Sequence, residues 1–150
     1  MALSFFDFLG FGSERRSALQ VFDRTLSELA VNPAYVDDGM RFAVYKWALQ
    51  VETPSGEAGG VTAGGLDRTM REAAALFSFC VLGPAETENL WGPAVRATRE
   101  ARFDAVLARG EEESFDALLI KLVLAKGIAA PDLRVTLDLG DREFGESNQP

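Results

Sequence analysis

Residues 66–82 read LDRTMREAAALFSFCVL, and this stretch decides the fold. It opens with apolar residues at Leu66, Met70, Ala74, Phe77 and Val81, the three-and-four spacing that lines one face of a helix. From Ala73 to Leu82 it is apolar all round except at Ser78. A helix coated on every side has to be surrounded, so it belongs at the centre of a helical domain. Gly83-Pro84 terminates it, and Pro84 can start a short helix to Trp91, with Glu86 and Glu88 near its positive end.

Upstream, Thr53 to Gly65 reads TPSGEAGGVTAGG, whose glycines and proline favour neither helix nor strand, so it is read as a mobile loop. Its glycines are spaced like a phosphate loop but lack the Lys-Ser/Thr pair that would hold phosphate and magnesium. Before it, Ala34 to Glu52 has two apolar faces: Met40, Val44, Trp47, Ala48 and Val51 on one, Phe42, Tyr45 and Leu49 on the other. Two apolar faces call for two packing partners. Asp37-Asp38-Gly39 lies at or near the start of that helix, where carboxylates suit the dipole. The first helix is capped by Ser13, carries Leu19, Phe22, Leu26 and Leu29 inward, and is expected to stop at Asn32-Pro33.

Downstream, Gly92-Pro93 starts a helix to Arg109 in which Ala94, Ala97, Ala101, Ala105 and Ala108 share a narrow arc, a surface that lets a second helix approach closely. Val95, Phe103, Val106 and Leu107, interleaved with Arg96, Arg99 and Arg102, form a second surface. Glu111 to Ser114 start the next helix, almost wholly apolar from Phe115 to Ala125, with Lys126 at its negative end and Gly127 as its stop. After Pro131 the period falls to two: Leu133, Val135, Leu137 and Leu139 alternate with Arg134, Thr136 and Asp138, the pattern of a half-buried strand.

The expected fold is therefore all-α, a compact bundle of about five to six helices with one C-terminal β-strand appendage. Its parts are an apolar N-terminal segment (1–12), a helical domain (13–130) with the glycine-rich loop 53–65, a strand (131–140) and a flexible tail (141–150). One strand cannot satisfy its own backbone, so residues 132–139 are expected to complete a sheet between chains or to lie apolar side down on the domain.

Composition narrows the chemistry. The chain has 150 residues, 47% hydrophobic and 25% charged, enough for one domain with a real core. It has no histidine, which removes every mechanism that uses imidazole as base, acid or ligand. Its single cysteine, Cys80, lies in the most apolar stretch and is expected to fill core; one cysteine allows neither an internal disulfide nor a thiolate metal cage. No metal and no cofactor are expected. A formal charge of −8 argues against a sequence-independent grip on nucleic acid by the chain alone. No run of about 18 apolar residues is present, and MALSFFDFLGFG lacks the basic start and cleavage site of a secretory signal, so a cytoplasmic location is expected.

Three features exceed what one small domain consumes. The N-terminus places Phe5, Phe6, Phe8 and Phe11 in one short apolar segment, able to cap the core, to dock in a partner's groove or, against the acidic charge of the chain, to touch a membrane. Arg96, Arg99, Arg102 and Arg109 make the 94–109 helix locally positive, to meet an acidic surface, a phosphate-bearing ligand or RNA, or to pair within the fold, as the i,i+4 spacing of Arg96 and Glu100 allows. Leu133, Val135, Leu137 and Leu139 offer a strand edge. The expectation is a non-catalytic interaction module, a small helical subunit or adaptor that self-associates or joins a larger assembly. The alternatives are a small enzyme or ligand-binding protein built on carboxylates and Arg, for which a pocket gathering those residues would speak, and an accessory nucleic-acid-binding subunit using the Arg helix.

Overall fold

The computed structural model describes residues 11–52, 63–110 and 113–133. Helix α1 spans Phe11–Glu28, a 3-10 turn spans Pro33–Tyr35, and helices α2 (Asp38–Glu52), α3 (Ala63–Trp91), α4 (Pro93–Ala108) and α5 (Phe115–Ala125) follow. The described residues are mostly helical, and α3 is the hub, packed by each of the other four helices. Its middle behaves as its sequence requires: Met70, Ala73, Ala74, Leu76, Phe77, Phe79 and Cys80 are all buried. Phe22 of α1 meets Phe77 edge-on at a centroid distance of 5.7 Å, and Phe103 of α4 lies against Phe79 at 5.9 Å. Such aromatic pairs add directional attraction to the burial of large apolar area.

Gly83-Pro84 interrupts α3 as the sequence predicts, leaving two helical arms that meet at a kink, and the last part of the described chain braces that bend. Gly83 sits at φ 86, ψ 167, a region open essentially to glycine alone. Pro84 has no N–H to give the Cys80 carbonyl one turn earlier, and the Ala130 N–H takes that place at 2.9 Å. The Asp132 carboxylate accepts from the Ala85 N–H at 3.1 Å, capping the arm that Pro84 begins. Thr87 Oγ1 donates to the Gly83 carbonyl at 2.7 Å.

That arrangement corrects the reading of residues 131–133, Leu133 included, as part of a strand. Residues 131–133 form a helical turn, and Leu133 is 2% exposed, part of the hydrophobic core. A leucine beside the braced bend can bury its side chain completely, and the local turn lets Asp132 reach Ala85. Val135, Leu137 and Leu139, with the rest of the proposed strand and the tail, lie outside the described residues, as do Phe5, Phe6, Phe8 and most of the glycine-rich loop.

Boundaries moved where capping chemistry outranked pattern. Helix α1 begins at Phe11, so Phe11 belongs to its first turn and Ser13 is inside it. It ends before Asn32: Ala30 takes φ 66, and the N–H groups of Ala30 and Val31 return to the carbonyls of Ser27 and Leu26 at 3.1 and 2.9 Å, a Schellman motif built on alanine. Asn32 caps the 3-10 turn instead, its Oδ1 accepting from Ala34 at 2.9 Å. Asp37 caps α2 by accepting from the Met40 N–H at 2.8 Å. The alanine arc of α4 was expected to receive another helix, yet Ala94, Ala97, Ala101, Ala105 and Ala108 are all exposed. Phe103 and Val106 pack α4 instead, because large side chains recover more burial than the small ones opposite.

Candidate functional site

Two cross-links orient the bundle. Thr69 Oγ1 donates to Glu52 at 2.7 Å, joining the end of α2 to the start of α3. Lys126 Nζ meets Asp37 at 3.1 Å, joining the end of α5 to the start of α2. The end of α2, the start of α3, the end of α4 and the start of α5 thus share one side, and they enclose a cleft of about 430 Å³. Val51 and Phe115 give it apolar wall; Thr69, Glu72, Arg102, Arg109, Ser114 and Asp116 give it polar wall.

The electrostatics of the cleft are largely settled within the chain. Arg102 forks onto Asp116, with Nε and Nη2 at 2.9 and 2.8 Å from the two carboxylate oxygens, and Nη1 donates to the Glu72 carbonyl at 2.7 Å. A planar guanidinium held at three points is an efficient joint between α3, α4 and α5. Ser114 accepts from the Ala117 N–H at 3.1 Å and caps α5 as its sequence suggests. Arg109 is exposed, and its guanidinium forms no ion pair or hydrogen bond among the described residues.

The other arginines singled out on α4 divide in the same way. Arg96 reaches Glu88 at 3.1 Å and Glu100 at 3.5 Å, the second being the i,i+4 pair its spacing implies; the Glu88 bond in particular holds its guanidinium above the ordinary value. Arg99 is half-buried and has no acceptor among the described residues. Burial, and then the nearby positive charge of Arg102, push its guanidinium down from the ordinary value.

Cys80 is 1% exposed, and burial pushes its thiol up to about 12, so it remains a neutral thiol packed in the core. Among the described residues no group of three or more acidic or thiol side chains converges as a metal site, and no helix is long and apolar enough to cross a membrane. Sequence reasoning missed the joint at Arg102 because Asp116, Glu72 and Arg102 are far apart in the chain. The only signal was that an acidic residue in the first turn of α5 needed a reason beyond the helix dipole. No protein-family model, curated protein or solved structure matches this chain.

Proposed function

We propose that the chain is a non-catalytic protein-binding module, a small helical subunit of the cytoplasm that docks onto another protein or onto its own copy. The observation that supports it best is the second face of α2. Tyr45 of that face is buried and Leu49 packs against the core, whereas Phe42 is 52% exposed, and Tyr35, just before the helix, is 60% exposed. Covering the open half of Phe42 alone would stabilise a complex by about 1 kcal/mol. Val135, Leu137 and Leu139 belong to the same reading, as a strand edge to be paired across chains, now without Leu133.

The test is the paired substitution Tyr35→Ser and Phe42→Ser in the full chain. Sedimentation velocity should show lost self-association, or cross-linking in the native cell should show lost partner recovery, with thermal stability close to wild type. Unchanged mass and unchanged partner recovery would refute the reading.

The cleft supports a second reading, a ligand-binding protein, because it does gather Glu72 and Asp116 with Arg102 and Arg109. A small-molecule panel that raises the melting temperature of wild type but not of Arg109→Gln would favour it. Arg96 and Arg102, on which a nucleic-acid role draws, are bonded to acids of the same chain.

A further inference from the structure

Arginines drawn partly into a protein are expected to find acceptors, since desolvating a cation without one is costly. Arg41, Arg102 and Arg96 among the described residues do so. Arg41, with 18% of its side chain exposed, is bonded to Asp23 and to the carbonyls of Pro33 and Val36. Arg102, at 30%, has Asp116 and the Glu72 carbonyl. Arg96, at 35%, has Glu88 and Glu100. Arg99 falls in the same range of burial, stands one turn from Arg102 and, alone among the partly buried cations of the described residues, has no acceptor.

The neighbouring charge makes the omission more costly. Asp116, the carboxylate bonded to Arg102, is fully engaged by that two-pronged contact. An acceptor arriving from outside would relieve both the desolvation of Arg99 and its repulsion from Arg102.

We propose that the Arg99 face of α4 is the docking site for an acidic segment of a partner protein, whose carboxylate accepts from the Arg99 guanidinium. The inference rests on the binding-module reading and assigns it a second surface and a partner chemistry. A discrete carboxylate suits the site better than a nucleic-acid backbone, because a chain of net charge −8 repels a charge-dense polyanion while one local cation still rewards one well-placed acid.

The test follows the Arg99 Nε–Hε resonance of the full-length protein during titration with a blocked decapeptide alternating glutamate and alanine. A glutamine-alanine peptide, inorganic phosphate and oligothymidylate serve as comparison arms. The resonance should move saturably with the glutamate peptide, and Arg99→Gln should weaken binding by about tenfold, the worth of one charge-assisted bond. Arg99→Lys should recover part of the loss. The proposal is overturned if the glutamate peptide leaves the resonance unmoved, if the glutamine peptide or the Arg99→Gln variant binds equally well, or if phosphate or oligothymidylate takes the site in preference. It is also overturned if Arg99→Gln abolishes self-association, which would make a second copy the occupant. Should that variant fail to fold, the wild-type titrations with the two peptides decide. Loss of the Phe42 effect with retention of this one would leave an acid-binding α4 without the apolar docking face, so the two failures are separable.

Discussion

Two glycines offer a measurement of what braces the bend in the central helix. Gly83 and Gly92 have nearly the same backbone, φ 86, ψ 167 and φ 94, ψ 170. Their surroundings differ: a Cβ on Gly83 would lie 2.7 Å from Ala130 Cβ and closer still to an Asp132 carboxylate oxygen, whereas a Cβ on Gly92 meets nothing within 4 Å. Gly92→Ala should therefore cost only the backbone strain, about 1–3 kcal/mol. Gly83→Ala carries that strain and must also displace residues 130–132. The added losses are a helix cap worth about 1 kcal/mol and the bond that satisfies the Cys80 carbonyl, about 1–2 kcal/mol when its acceptor is left dry. The difference between the two variants should be about 2–3 kcal/mol, or about 5–10 °C in melting temperature for a chain of this size. Urea titrations of both variants, read by far-ultraviolet circular dichroism, give the two values directly. Adding Asp132→Ala to Gly83→Ala should be less than additive, since it removes the carboxylate with which the new methyl group collides. Equal losses at the two glycines would refute the bracing argument.

Two further outcomes follow from the caps. Ala30→Gly should stabilise the protein by about 0.5–1 kcal/mol, because relief of the left-handed strain at φ 66 exceeds the added freedom of the unfolded chain; the urea midpoint checks it. Asp37 is held below its ordinary carboxylate value of 3.8 by the Met40 N–H, with further help from Lys126. Its contribution to stability is therefore present above that value and lost as pH falls through the lower folded one. Asp37→Asn, which keeps a capping oxygen, should flatten the acid limb of stability as pH falls through and below 3.8, and an unchanged limb would contradict this.

Much of the scaffold was legible because its signals are local. The all-round apolar stretch around Phe77 marked the hub, Ser114 marked the cap of α5, and Gly127 at φ 70 its stop. What misled were patterns with two physical solutions. Leu133 fits an alternating strand and also a turn that buries one leucine, and only the distant bend at Gly83 decides between them. The alanines of α4 suit a close helix contact and also an exposed helical face, since alanine is the best helix former in either setting. The cleft was the least readable part, since the Arg102–Asp116 bond joins separate helices and leaves no periodicity in the chain.

The brace of residues 130–132 also sets an order of events during synthesis. The Cys80 carbonyl and the Ala85 N–H find their partners about fifty positions downstream. A ribosome that has made the whole of the central helix has not yet made what completes it, so the nascent hub keeps an open joint until residue 132 emerges. Truncations that stop short of that point should yield a chain whose helices are present but whose arm from Pro84 to Trp91 is unfastened.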